Sequence, residues 1–202
     1  MENRNSKVTY MVELAVLIAL ILIMGLTPLG YIKTLGLEIT LIVVPVAIGA
    51  ITLGPKAGAI LGGVFGLTSF YQCFGMSAFG AALLSINPVG AFITCVPTRI
   101  LVGLLTGLIF KALHSKKSMK EPSYYIASLA CPIMNTIFFM SCLVIFFYNT
   151  EYIQGFVKSL GSSNPFAFVI AFVGINGLVE AIACFVVASA VARALAVALK
   201  NR

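Results

Sequence analysis

Arg99 sits inside NPVGAFITCVPTRILVGLLTG, residues 87–107, a run that is otherwise almost wholly apolar. A guanidinium near the middle of a membrane-spanning helix costs roughly 2.5–3.5 kcal/mol on insertion scales. Such a residue is kept where it faces a bundle interior, water, an acidic partner or a ligand. Two partners are open to it. One is an anionic group of a solute, gripped through the bidentate fork that a guanidinium offers a carboxylate. The other is Glu180, as a structural ion pair. Glu180 lies in the apolar segment INGLVEA, and Asn176 stands four residues before it, so both face one side of a helix. Asn135 lies within a further apolar run. An amide offers donors and an acceptor, which suits hydroxyl and amide groups of a polar solute. The alternative for Asn135 is an interhelical hydrogen bond, worth about 0.6 kcal/mol on average in membranes. One arginine, two asparagines and a glutamate at similar depth make a polar site for a small solute. Tyr71 and Gln72, at the end of another apolar run, are candidates for its mouth.

These residues need a scaffold that holds them away from bulk water. The chain is 60% hydrophobic and 9% charged, whereas soluble domains carry about 25% charged residues. The expected fold class is therefore all-α: a polytopic membrane protein with one domain, residues 1–202, forming a bundle of six transmembrane helices. The spans fall at about 8–26, 39–53, 57–74, 89–113, 124–148 and 166–190. The first is too long for a signal-peptide core and no small-x-small cleavage site follows it, so it reads as a retained span. The second is short and contains Pro45, which predicts a tilt or kink. In the third, Gly54, Gly58, Gly62 and Gly66 recur every four residues and form one face without side chains. Gly103 and Gly107 repeat that spacing in the fourth. Such faces let helices pack backbone to backbone. A short helix is expected near 78–85, and loops at 27–38 and 149–165.

Six spans put both termini on one side. Arg4, Lys7, Lys56, Lys111, Lys116, Lys117, Lys120, Arg193, Lys200 and Arg202 fall on that side, and only Lys33 and Lys158 fall on the other. The positive-inside rule then places both termini in the cytoplasm and the chain in the cell membrane. The net charge of +7 is thus topology information. No basic patch interleaved with aromatics suggests nucleic acid. The chain has one histidine, His114, and no aspartate, so metal sites and Ser-His-Asp chemistry lack raw material and no enzyme is expected. The five cysteines form no C-x-x-C pair and read as small buried hydrophobes.

Several features together resemble the substrate-specific S components of energy-coupling-factor (ECF) vitamin transporters: about 200 residues, six spans, an A-x-x-x-A pair in the first span (Ala15 and Ala19), and ITLIVVPVAIGAITLGPKAGAILGGVFGLTSF at 39–70. The resemblance implies capture of a vitamin at the outer face. It also implies partnership with a separate transmembrane coupling protein and two cytoplasmic ATPases, which alone use ATP. The chain itself has no phosphate-binding G-x-x-x-x-G-K-[ST] loop and is expected to bind no cofactor. By resemblance, Ala15 and Ala19 contact the coupling protein, and a toppling motion carries the vitamin inward.

VPTRILVGL, MNTIFFM and INGLVEAI look most like the pantothenate-type members. That likeness implies Arg99 on the pantothenate carboxylate, and Asn135 and Asn176 on its hydroxyl and amide groups. Glu180 then accepts a hydroxyl proton or orients Arg99. The absence of Trp weakens thiamine-type readings, which favour stacking on a cationic ring. Riboflavin, folate and other vitamins remain as alternatives. So does a stand-alone carrier in which Glu180 carries a proton, and so does a scaffold protein that binds no small molecule.

Overall fold

A computed structural model describes residues 2–27, 30–33, 38–162 and 164–200. Arg202, in the expected basic tail, and much of the expected loop at 27–38 lie outside the described residues. The chain order is α1 (Glu2–Leu26), β1 (Tyr31–Lys33), β2 (Glu38–Thr40), α2 (Val43–Thr52), α3 (Pro55–Gln72), α4 (Ala78–Ile86), α5 (Pro88–His114), α6 (Lys120–Phe147), α7 (Glu151–Ser159), α8 (Pro165–Ala183) and α9 (Ser189–Lys200). A π-helical turn, Cys184–Ala188, joins the last two. Among the described residues the regular structure is helical apart from the β1–β2 hairpin.

Among the described residues, four helical stretches are long and apolar enough to cross a membrane: Lys7–Leu26, Pro88–His114, Lys117–Phe147 and Asn176–Ala198. Their outward faces are apolar: Val16, Ile145 and Ile182 are 61%, 73% and 63% exposed. A soluble protein would bury such side chains, whereas lipid accepts them.

Neither the expected span at 39–53 nor that at 57–74 is among these four, and the second and sixth expected spans take a different form. Over 39–53, Ile39 and Thr40 belong to β2, and helix begins only at Val43. Pro45 falls in the first turn of α2, where its missing N–H has no intrahelical partner to lose, so no kink results. The ten residues of α2 span about 15 Å, half of a bilayer's apolar thickness of about 30 Å. Most of α2 is buried, in a core with Ile21 of α1, Leu61 and Phe65 of α3, and Val102 of α5. The sixth expected span is broken at Gly174, whose φ of 34° interrupts helical geometry, and it continues to Lys200. The expected short helix near 78–85 is α4. The expected loop at 149–165 contains α7, capped by the Thr150 hydroxyl accepting from Ile153 N at 3.4 Å. Ile153 and Val157 of α7 pack into an aromatic cluster with Phe79, Phe147, Phe168 and Phe172.

The glycine faces pack closely, as expected, and they pack against each other. A Cβ on Gly58 or Gly103 would strike the carbonyl of the other, and one on Gly62 would strike the carbonyl of Arg99. One on Gly66 would sit 2.8 Å from Val96 Cα. Helices α3 and α5 therefore touch main chain to main chain along the segment that carries Arg99. At one end of this pair Gly54 and Pro55 adjoin Lys111 and His114. Close to that end of α6, Arg193 pairs with Glu121 at 3.0 Å. The hairpin, α4 and α7 lie towards the opposite end.

Gly103→Leu is expected to lower stability by at least about 1–3 kcal/mol, because backbone cannot yield as a side chain can. The check is the melting temperature in detergent. Gly155→Ala in α7, where an added Cβ meets open space, should leave it unchanged or slightly higher.

Candidate functional site

Arg99 occupies the middle of α5. Asn87 starts that helix by accepting from Gly90 N at 2.9 Å, and Pro88 opens its first turn. Thr94, Thr98 and Thr106 turn their hydroxyls back onto the carbonyls of Gly90, Thr94 and Val102 at 2.7, 2.6 and 2.8 Å. These polar groups thus ask nothing of lipid or core. The Arg99 Nη1 donates to the Thr94 carbonyl and to Thr98 Oγ1, the latter at 3.2 Å. The guanidinium carbon lies 5.4 Å from the Phe65 ring centroid and 5.0 Å from that of Phe139, so two aromatic faces hold the cation. Arg99 is 6% exposed, and its Nε has no hydrogen-bond partner.

The expected partner Glu180 is near but differently engaged. Among the described residues the two form no ion pair. Glu180 Oε1 instead accepts from Thr40 N of β2 at 2.7 Å, a bond that ties α8 to the hairpin. A buried guanidinium with aromatic walls and no carboxylate against it is an incomplete charge arrangement.

Two adjoining cavities share Arg99, Thr40 and Phe139. The first lies against α3 and α5 and is lined also by Tyr31, Ser69, Gln72, Cys73 and Cys95. The second lies against α6 and α8 and is lined also by Asn135, Thr136, Met140, Asn176 and Glu180. The hydroxyl of Tyr31 and the Oδ1 of Asn135 are buried without hydrogen-bond partners, like Arg99 Nε. Three residues that line this pair of cavities each carry an unsatisfied buried polar atom. Buried polar groups ordinarily find partners, so their convergence points to a polar ligand.

Arg99, Asn135, Asn176, Glu180 and Gln72 are thus brought together. Gln72 also anchors the wall, donating through Nε2 to the Gly25 carbonyl of α1 at 2.9 Å. Tyr71 is not: it is 57% exposed and lines neither cavity. Consecutive helical residues point about 100° apart, so Gln72 and Tyr71 cannot both face inward. Ala15 and Ala19 lie on the exposed face of α1, remote from the cavities. Cys131 and Cys184 are buried as expected, whereas Cys73 and Cys95, with sulfurs 4.0 Å apart, form part of a cavity wall. Tyr31, Thr40 and Phe139 have no sequence signal that marks them for the site. The hairpin register sets Tyr31 opposite Thr40 and delivers both to the cavity. Burial pushes the Tyr31 phenol up to about 12, so it stays a neutral donor. Among the described residues no cluster of His, Cys, Asp or Glu could hold a metal ion.

Residues 9–192 match the family described as ECF transporter, substrate-specific component. The chain is 31% identical over 201 residues to a pantothenate transporter, PanT, of Leuconostoc mesenteroides, covering 95% of this chain and 94% of that protein. It is 28% identical over 215 residues to a pantothenic acid transporter, PanT, of Lactococcus lactis, covering 98% of this chain and 99% of that protein. These relatives are transporters rather than enzymes, and the apolar helices are those of a membrane protein. The chain belongs to the family of substrate-specific components of ECF transporters.

Proposed function

We propose that this chain captures pantothenate from outside the cell as the membrane-embedded S component of an ECF importer. The observation that carries the reading is the buried, carboxylate-free Arg99 at the junction of two polar-lined cavities. Pantothenate is a small carboxylate that also bears hydroxyl and amide groups, so it answers both the cation and the amides of Asn135 and Asn176. Gln72 and Glu180 complete the set of binding residues. The names of two relatives that span nearly the whole chain support the same vitamin. Riboflavin and folate gain no support from either.

In this reading the chain is one domain, and its six apolar segments are the membrane crossings, with α2 buried as a half-length element. The basic end bearing Lys56, Lys111, Lys116, Lys117, Lys120 and Arg193 faces the cytoplasm of a plasma-membrane protein. The hairpin, α4, α7 and the cavities face outward. Energy comes from ATP hydrolysed by two partner ATPases, through a transmembrane coupling protein that docks on the exposed Ala15–Ala19 face of α1. The chain needs no cofactor of its own.

Arg99→Ala should weaken pantothenate binding by roughly 2–5 kcal/mol, the cost of deleting one partner of a buried charge pair. Equilibrium binding to the purified chain, with folding checked by thermal melting, measures it. Unchanged affinity would remove Arg99 from the site. Ala15→Trp with Ala19→Trp should abolish uptake in cells that also make the coupling protein and ATPases, yet spare binding by the purified chain. Loss of binding in that variant would count against α1 as the docking face.

A further inference from the structure

A further groove lies at the basic end of the bundle. Ile51 and Leu53 from the end of α2, and Phe110, Lys111, His114 and Ser115 from the end of α5, are among the residues that line it. It shares no lining residue with the cavities at Arg99. A Cβ on Gly107 would sit 2.6 Å from Pro55 Cα, so the helices close the groove there, whereas one on Gly54 would meet open space. No acidic residue lines the groove. Glu121, at the start of α6, is already paired with Arg193 at 3.0 Å. Lys111 is exposed, as are Lys56, Lys116 and Lys117 at the same end.

The His114 ring is held in place. It stacks on Phe110 with centroids 4.8 Å apart and stands edge-on to Tyr124 at 5.5 Å. Its Nδ1 lies 2.9 Å from Ser123 Oγ. That hydroxyl gives its one proton to the Lys120 carbonyl at 2.6 Å, so towards His114 it accepts and Nδ1 carries the hydrogen. Nε2 is then the nitrogen left for a ligand, and in the neutral ring it accepts, as a hydroxyl-bearing group requires. The helices above the groove are apolar outward. Helical spacing puts Leu101 and Leu108 on the stripe of α5 that carries Lys111, and both are exposed. On α3, Lys56, Ile60 and Leu67 form a second exposed stripe. Each stripe is cationic at its end and apolar along its length, the order of a phospholipid's headgroup and chains.

We propose that this groove seats one anionic phospholipid with a hydroxyl-bearing headgroup, of the phosphatidylglycerol type. The Lys111 ammonium holds the phosphate, His114 Nε2 accepts from a headgroup hydroxyl, and the acyl chains run along Leu108 and Ile60. Basic pockets between membrane helices on the cytoplasmic side take anionic headgroups in this way. A free phosphate would meet the same cation but leave the apolar stripes unused. The choice of leaflet rests on the orientation proposed above; the chemistry of the groove does not.

Native mass spectrometry of the purified chain, released from detergent with equal amounts of phosphatidylglycerol and phosphatidylcholine, tests the assignment. The wild type should retain one phosphatidylglycerol in at least about fivefold preference, the factor that one lysine near an anionic headgroup supplies. Lys111→Gln should remove that preference, and Lys111→Arg should restore it. Lys158→Gln, at the opposite end, should leave it unchanged. His114→Phe keeps a ring on Phe110 and should weaken phosphatidylglycerol about threefold. Pantothenate binding should be the same in all four variants, so the lipid site and the vitamin site stand or fall separately. Equal retention of the two lipids, or an unchanged Lys111→Gln variant, overturns the proposal. So does an equal loss in Lys158→Gln, which would make the attraction one of overall charge. Displacement of the lipid by millimolar inorganic phosphate would make the occupant a free anion and overturn the lipid assignment. An unchanged His114→Phe variant would overturn the headgroup hydroxyl contact.

Discussion

A guanidinium buried in an apolar bundle without a carboxylate against it sets the terms for the rest of this structure. Its charge cannot be neutralised by losing a proton, so the surroundings must hold it. They do so with two phenyl faces, one carbonyl and one hydroxyl, and leave the buried Nε without a hydrogen-bond partner. An arginine fully paired within the protein would have nothing left to bind with. One left wholly open would be costly to keep inside a membrane. The arrangement of Arg99 lies between these extremes.

The glycine faces of α3 and α5 make that arrangement rigid. Because the two helices meet at their main chains, the α5 segment from Cys95 to Gly107 has little freedom to shift. Arg99 is fixed by its backbone as well as by its side chain. The opposite wall is built differently. Glu180 reaches the hairpin through one hydrogen bond from Thr40 N, and α8 is interrupted at Gly174 and again by the π-turn after Ala183. One side of the site is packed backbone to backbone, and the other is joined through polar contacts and helix breaks.

Much of this is legible in the sequence, for physical reasons. Four-residue glycine spacing marks a bare helical face whatever it packs against, so close helix approach is legible in the sequence, while the pairing of α3 with α5 is seen only in the fold. Charged and amide residues inside apolar runs are costly, so Arg99, Asn135, Asn176 and Glu180 stand out by residue type and setting. Tyr31 and Thr40 do not. They lie in three-residue strands, too short for a periodic signal, and the bond from Thr40 to Glu180 joins residues 140 positions apart. Phe139 is one phenylalanine among fifteen, and only the fold shows which ring meets a cation. Helix α7 carries a cap at Thr150 and an apolar pair at Ile153 and Val157. Its nine residues sit between two much longer apolar runs, where a loop is the simpler reading. Pro45 suggests a kink only if helix starts at Ile39; with the start at Val43 it belongs to the first turn.

The measurement that bears most directly on the account is equilibrium binding of radiolabelled pantothenate to the purified chain alone, without nucleotide or partner subunits. Excess riboflavin, folate or unlabelled pantothenate would serve as competitor. The account predicts saturable binding of one pantothenate per chain, displaced by unlabelled pantothenate and untouched by the other two vitamins. Absence of saturable binding, or equal displacement by riboflavin or folate, would contradict it.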